Sequence, residues 1–183
     1  FYFHFLPKGV GNSMVHQAEK SKQDLLDQVI QLSKTPLKTP QLEVQEFIKR
    51  FYSNVSPEDL LIETPENLCG AALSLWNWGA LREPGIAKLR LYNPKQQEHG
   101  WRSPYSIIEI VNDDMSFLVD SVVRALQKQD LAVYLIIHPV LLVKRQAGQR
   151  QKMGEGPSRS PGESLPESFM QIRIREQTSP ERM

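Results

Sequence analysis

The chain has 183 residues, which is typical of one domain or of one domain with appendages. Hydrophobic residues make up 40% and charged residues 23%, so most of the chain can bury a core, and a net charge of +1 gives no broad attraction to nucleic acid or to anionic membranes. The single cysteine, Cys69, excludes an internal disulfide, and no apolar run approaches the roughly 20 residues that span a bilayer. These properties predict a protein of a reducing compartment, the cytoplasm, without nucleic-acid or membrane partners.

Residues 1–13 are predicted to lie outside the folded part of the chain. The sequence begins with Phe1, and its first methionine is Met14, directly before a helical pattern. We therefore expect residues 1–13 to be a non-native or disordered leader. A processed N-terminus is the alternative interpretation of this start.

The segment 14–86 is predicted to be helical. Apolar residues recur at helical spacing up to Lys34, and a second amphipathic stripe follows two prolines. Ser56 and Thr64 each precede a proline and an acidic residue, which is the pattern of a helix N-cap and its first turn. Such stripes are more typical of core-facing helices than of partner sites. The apolar positions of the second stripe are Leu42, Phe47, Ile48 and Phe51.

The segment 87–183 is predicted to form a sheet with one helix. Pro139 lies inside a long apolar run, and since proline cannot donate to a β-ladder it predicts an edge position, a bulge or a break between two strands. Residues 146–166 are rich in Gly, Pro, Ser and charge, so we expect a flexible loop there. The predicted elements are strands at 88–92, 105–112, 131–144 and 168–176 and a helix at 115–129.

From the second strand onward, the order of elements is β-α-β-β, and Ser179-Pro180-Glu181 resembles one more helix start. This order is the first two-thirds of the split β-α-β, or ferredoxin-like, fold. The sheet of that fold needs a second helix to cover one face and a last strand to fill one edge. We therefore expect an incomplete unit that belongs to a longer protein.

Two adjacent aspartates, Asp113 and Asp114, stand where the second strand ends and the helix begins. A carboxylate there accepts hydrogen bonds from the free N–H groups of the first turn, worth roughly 0.5–2 kcal/mol, so we expect one of them to cap the helix. A metal ion would need further converging oxygen ligands, which the sequence does not show. A third interpretation is that the turn binds a small effector through its backbone.

No catalytic pattern occurs elsewhere. The four histidines show no paired metal spacing, and the sequence has no phosphate loop, nucleophile elbow or Rossmann fingerprint. We therefore expect no catalytic, cofactor-binding or metal-binding residue in this chain. The residues alone indicate a ligand-binding or assembly segment.

Seven ordered motifs resemble the N-terminal region of the large NAD-specific glutamate dehydrogenases of bacteria, and the resemblance runs from about Met14 to the end. It implies ACT-like regulatory domains in this region and a catalytic domain, which binds NAD and glutamate, far downstream. The parent enzyme would oxidatively deaminate L-glutamate to 2-oxoglutarate and ammonia with NAD. The motifs are "FYSNVSPEDL", "LCGAALSLW", "RLYNP", "EHGW", "IEIVNDDMSFLVDSV", "LIIHPV" and "ESFMQIRI".

The resemblance implies an α+β fold in which an N-terminal helical segment precedes an incomplete ACT-like unit. No catalytic lysine or dinucleotide-binding glycine of the family can be placed on this chain, so NAD is expected in the parent enzyme and not on this segment. In ACT-like folds an effector sits at the turn between the first strand and the first helix. Here that turn is Asn112, Asp113 and Asp114, with N–H donors for the carboxylate and acids for the ammonium of an amino acid.

The expected role is regulation and assembly, with the rest of the same polypeptide, further copies in a homo-oligomer and an amino-acid effector as partners. The alternative is a free-standing ACT-like protein that binds amino acids and has no enzymatic activity.

Overall fold

The computed structural model describes residues 10–34, 41–154 and 164–178. The predicted helix start at Ser179 and the centre of the predicted loop lie outside these residues. The helices are α1 (Val10–Leu32), α2 (Gln41–Tyr52), α3 (Pro57–Leu61), α4 (Pro65–Trp78), α5 (Gln96–His99) and α6 (Leu118–Lys128). The strands are β1 (Lys88–Tyr92), β2 (Ser106–Asp113), β3 (Val133–Ile137), β4 (Val140–Gln146), β5 (Gln149–Gly154) and β6 (Leu165–Ile174).

The starts of α3 and α4 follow from local sequence signals. Ser56 and Thr64 accept hydrogen bonds from the backbone N–H groups of Asp59 and Asn67, as expected of N-cap residues, so both predicted caps are confirmed. A proline occupies the first helical turn after each cap. In contrast, α1 begins at Val10, so the predicted leader 1–13 overlaps a helix by four residues.

The strands form one antiparallel sheet with β6 at its centre. On one side β6 pairs with the whole of β2, and on the other it pairs with β4 and β3 in succession. β3 and β4 are separated at Pro139, which confirms the predicted interruption of the long apolar run. β1 pairs with β2 and β5 with β4, so β1 occupies the edge of β2 that β6 leaves open. The α+β class is confirmed.

Alternate residues of each strand point to opposite faces of the sheet, and helices cover both faces. Val111 and Phe169 belong to a large apolar cluster with residues of α1, α2 and α4. Their chain neighbours Ile110 and Met170 belong to a second apolar cluster, which packs against α6. The helical segment and the sheet therefore share one core, which crosses the sequence boundary at residue 86. The buried members of the α6 cluster are Ile108, Ile110, Met170, Ile172 and Ile174.

Gly70 shows how closely the helical segment meets the rest of the fold. A Cβ added there would lie 2.5 Å from the Cβ of Trp101, so only glycine leaves room for this buried ring beside α4. The motifs "LCGAALSLW" and "EHGW" thus meet through Gly70 and Trp101.

The predicted flexible loop at 146–166 is wrong at both ends. Residues 149–154 form β5, which pairs with β4 in a hairpin, and β6 begins at Leu165. The hairpin turn is Ala147-Gly148, with φ of 49° and 75°, as a two-residue hairpin turn requires. The pattern was missed because β5 is an edge strand of mostly polar residues, so it carries no apolar alternation.

Candidate functional site

The predicted effector turn lies at the junction of β2, β6 and the α4–β1 connection. Asp113 ends β2; its Oδ1 accepts a hydrogen bond from Nη2 of Arg82, and its Oδ2 accepts one from the backbone N–H of Gly85 at 2.8 Å. Both donors belong to the connection between α4 and β1. Asp113 therefore ties the end of the sheet to the helical segment.

Asp114 is held by β6. Its backbone N–H donates to the carbonyl of Pro166 at 2.9 Å, and its Oδ1 accepts from the hydroxyl of Ser168 at 2.7 Å. Asn112 pairs with Ser168 in the β2–β6 ladder and is buried. All three turn residues thus lie at one end of the sheet, where they secure β2 to its surroundings.

The predicted helix cap is wrong. α6 begins at Leu118 and not at Met115, and its N-cap position is Phe117, whose side chain makes no capping hydrogen bond. The carboxylates of Asp113 and Asp114 bond instead to Arg82 and Ser168. The cause is tertiary, because Arg82 and Ser168 are distant in sequence and a buried arginine binds a carboxylate more strongly than exposed N–H groups do.

A buried ion network adjoins this turn. Arg82 also pairs with Glu167 at 2.8 Å, and Arg145 forms two hydrogen bonds to the same carboxylate at 2.7 and 2.8 Å. Arg145 further donates to the carbonyls of Gly79, Ala80 and Gly148. Burial alone would lower the pKa of Arg82, but the hydrogen bonds and charges of Glu167 and Asp113 outweigh it and raise that pKa. The network joins the α4–β1 connection, the β4–β5 hairpin and β6.

A second polar network lies between α4 and the sheet. The buried carboxylate of Glu109 accepts hydrogen bonds from Arg90 at 2.7 Å, from Tyr92 at 3.0 Å and from Gln171 at 3.0 Å. Burial raises the pKa of Glu109, and the Arg90 ion pair opposes that rise. Sequence reasoning missed this site, although one signal was present: Glu109 interrupts the apolar run "SIIEIV", and Arg90 stands on the neighbouring strand.

Neither network offers a reactive group to a substrate. Glu109 and Glu167 are buried, and each is bound to arginine. Arg82 Nε and Gln171 Oε1 are the atoms of these networks that are buried without a hydrogen-bond partner in the described part of the chain. Burial also raises the pKa of the Cys69 thiol, which disfavours the nucleophilic thiolate. The arrangement can join two layers of the fold and contains no nucleophile–base pair.

Within residues 10–34, 41–154 and 164–178, no group of three or more His, Cys, Asp or Glu side chains could hold a metal ion. In the same ranges, no helix is both long and apolar enough to cross a membrane.

Residues 47–183 match the family model of the glutamate dehydrogenase ACT1 domain. The chain belongs to this family. It is 34% identical over 169 residues to an NAD-specific glutamate dehydrogenase of Halomonas elongata, an alignment that covers 91% of the chain and 10% of that relative. It is 31% identical over 105 residues to the NAD-specific glutamate dehydrogenase of Pseudomonas aeruginosa, covering 57% of the chain and 6% of that relative.

The ACT1 chain thus spans about a tenth or less of the length of these curated relatives. No solved structure matches it significantly. The resemblance inferred from the sequence motifs is confirmed by both the family match and the relatives.

Proposed function

We propose that this ACT1 chain is the N-terminal regulatory and assembly segment of an NAD-dependent glutamate dehydrogenase. The observation that carries the proposal is the family match over residues 47–183, together with relatives that are named as NAD-specific glutamate dehydrogenases. The parent polypeptide would oxidatively deaminate L-glutamate to 2-oxoglutarate and ammonia in the cytoplasm. NAD would bind to the catalytic domain of the parent and not to this segment.

The contacts of the segment favour a non-catalytic role. Its buried charges hold the helical layer to the sheet, since Arg82, Arg145 and Glu167 bond to each other and to backbone carbonyls. A unit whose helices are joined to its sheet in this way suits a scaffold that positions other domains or other copies of the same chain. We expect the parent enzyme to be a homo-oligomer whose assembly depends on this segment.

Binding of an amino acid at Asn112, Asp113 and Asp114 remains part of the proposal. Both carboxylates already have partners that an effector would meet, because Asp113 bonds to Arg82 and Asp114 to Ser168. The ammonium group of an effector would have to compete with the Arg82 guanidinium or bind a carboxylate oxygen beside it. Calorimetry with the common amino acids, on the wild type and on Asn112→Ala, tests this placement. Binding that is unchanged in Asn112→Ala, Asp113→Asn and Asp114→Asn would contradict it.

The decisive experiment compares three proteins: the ACT1 chain, the parent polypeptide, and the parent without residues 14–178. NAD reduction by L-glutamate is expected in the intact parent and absent from the ACT1 chain. The shortened parent is expected to lose its native oligomeric state in analytical ultracentrifugation. Turnover by the ACT1 chain, or a gene product that ends at this unit and binds amino acids, would favour a free-standing protein or a different enzyme.

A further inference from the structure

A cleft of about 430 Å³ lies between α1 and the end of α2. Its volume falls within the roughly 300–1,000 Å³ that is usual for sites of small molecules. The residues from α1 are three, four and seven positions apart, so they share one face of that helix. We name this cavity the α1–α2 cleft, and its lining residues are Glu19, Lys22, Gln23, Leu26, Lys49 and Ser53.

The polar lining departs from the rest of the same face of α1. A helix that packs on a core normally continues its apolar stripe along its length. Here Lys22 stands one turn before Leu26 on the core-facing side, and Glu19 stands one turn before Lys22. The buried apolar residues that follow on this side of the helix are Leu25, Leu26, Val29 and Ile30.

Lys22 is a buried cation without a counter-ion in the described part of the chain. It is only 8% exposed, and none of the ion pairs there includes it. Its Nζ donates to the carbonyls of Ser53 at 3.0 Å and of Val55 at 2.6 Å, which lie just after α2. An ammonium group has three N–H donors, so one donor has no partner among the described residues. Buried lysines are normally paired, because an uncompensated buried charge is costly.

Two further charges line the cleft and form no ion pair with another residue that the structure describes. Lys49 extends from α2 and Glu19 from α1, and both are exposed. The cleft therefore combines two ammonium groups with one carboxylate. A carboxylate group of a ligand is complementary to the two lysines, and a hydrogen-bond donor on the same ligand is complementary to Glu19. The charge of Glu19 also disfavours a ligand with two negative charges, such as a phosphate ester.

We propose that the α1–α2 cleft binds a small organic carboxylate with a hydrogen-bond donor on the neighbouring carbon, as in a hydroxy acid or an amino acid. The carboxylate lies between the amino groups of Lys22 and Lys49, and the donor faces Glu19. The ligand thereby supplies the counter-ion that Lys22 lacks in the described fold. None of the residues of the turn after β2 lines this cleft, and the inference does not depend on the proposed function.

Three molecules with the same carbon skeleton test this chemistry. L-Alanine, L-lactate and propionate carry an ammonium, a hydroxyl and a hydrogen, respectively, on the carbon beside the carboxylate. Each is titrated into the ACT1 chain while NMR records the backbone amide shifts. We expect L-alanine or L-lactate to bind at least about tenfold more tightly than propionate, with shifts around Lys22 and at the end of α2. The tighter of the two identifies the donor. Equal affinities, no binding, or shifts confined to other elements overturn the proposal.

Two substitutions of exposed residues separate the roles of the charges. Lys49→Gln is expected to weaken the binding of all three molecules by about fivefold. Glu19→Gln is expected to remove the preference over propionate. Lys20→Gln, at an exposed position of α1 outside the cleft, is the matched control and keeps the wild-type affinities. Lys22 is left unchanged, because its two backbone hydrogen bonds also hold α1 against the end of α2. Wild-type affinities in Lys49→Gln, or a retained preference in Glu19→Gln, overturn the proposed site.

Discussion

The two faces of the sheet are built from alternate residues of the same strands. They differ in polarity and in the helices that pack on them. The face toward α1–α4 contains the buried charged residues Glu109 and Arg173 and the buried amide of Gln171, beside Val111 and Phe169. The face toward α6 has an apolar buried centre, and exposed Leu89 lies beside it. Buried charges require fixed partners, so the helical face is specific to the elements that now cover it. The apolar face has no such requirement, because its cluster packs against α6 through apolar contacts alone.

The largest expected effect comes from removing one charge of the buried ion network formed by Arg82, Arg145 and Glu167. Glu167→Gln removes the carboxylate that both Arg82 and Arg145 bind, and leaves two buried guanidinium groups without full compensation. We expect the free energy of unfolding to fall by about 3 kcal/mol. Urea denaturation at pH 7 measures it, with the exposed Glu83→Gln as control. If the two variants were equally stable, the network would not hold the layers together.

A smaller effect is expected where α4 approaches Trp101. Gly70→Ala forces the Trp101 ring outward, since the added Cβ would lie 2.5 Å from the Cβ of that residue. The strain should cost about 1–3 kcal/mol, partly offset by the roughly 1 kcal/mol that alanine gains over glycine in a helix. Asn77→Ala, exposed on the same helix, is the control and should be neutral or stabilising. Thermal unfolding of both variants measures the difference, and equal melting temperatures would show that the two elements are loosely packed.

Substitutions at the turn after β2 distinguish two roles for Asp113, an ion pair and a helix cap. Asp113→Asn keeps capping ability but loses the charge opposite Arg82, so we expect a loss of about 1 kcal/mol at this partly exposed site. Asp120→Asn, in the first turn of α6, should cost only about 0.3 kcal/mol through the helix dipole. Chemical denaturation measures both. A silent Asp113→Asn combined with a destabilising Asp113→Ala would restore the capping interpretation.

The smallest effect is a pH dependence at the break between β3 and β4. Burial lowers the pKa of His138 below its ordinary value, and the charge of Asp114 opposes this shift. Because the unfolded chain then binds the proton more readily, the stabilising contribution is complete above about pH 6.5 and declines as the pH falls below it. His138→Gln should flatten the melting temperature between pH 7.5 and about pH 5.5 relative to wild type. His16→Gln, a substitution of the same type at an exposed position, is the matched control.

Sequence reasoning succeeded where local chemistry determines the outcome. The caps at Ser56 and Thr64 depend on residues within one turn, and Pro139 interrupts a strand by lacking an N–H group. It failed where the partner is distant. Asp113 bonds to Arg82 rather than to the nearby helix end, and β5 exists because β4 offers an edge to its polar backbone. The Arg90–Glu109 pair likewise joins residues that only the sheet register brings together.

The central position of β6 has a consequence for insertions and deletions. Its residues alternate strictly, so that Gln171 and Arg173 meet the helices while Ile172 and Ile174 meet α6. An insertion of one residue before Gln171 reverses the parity of everything downstream and turns a guanidinium into the apolar cluster. An insertion of two residues restores the orientation, at the cost of a shifted register against β2 and β3. In this strand, therefore, odd changes in length exchange the two faces, whereas even changes only translate them.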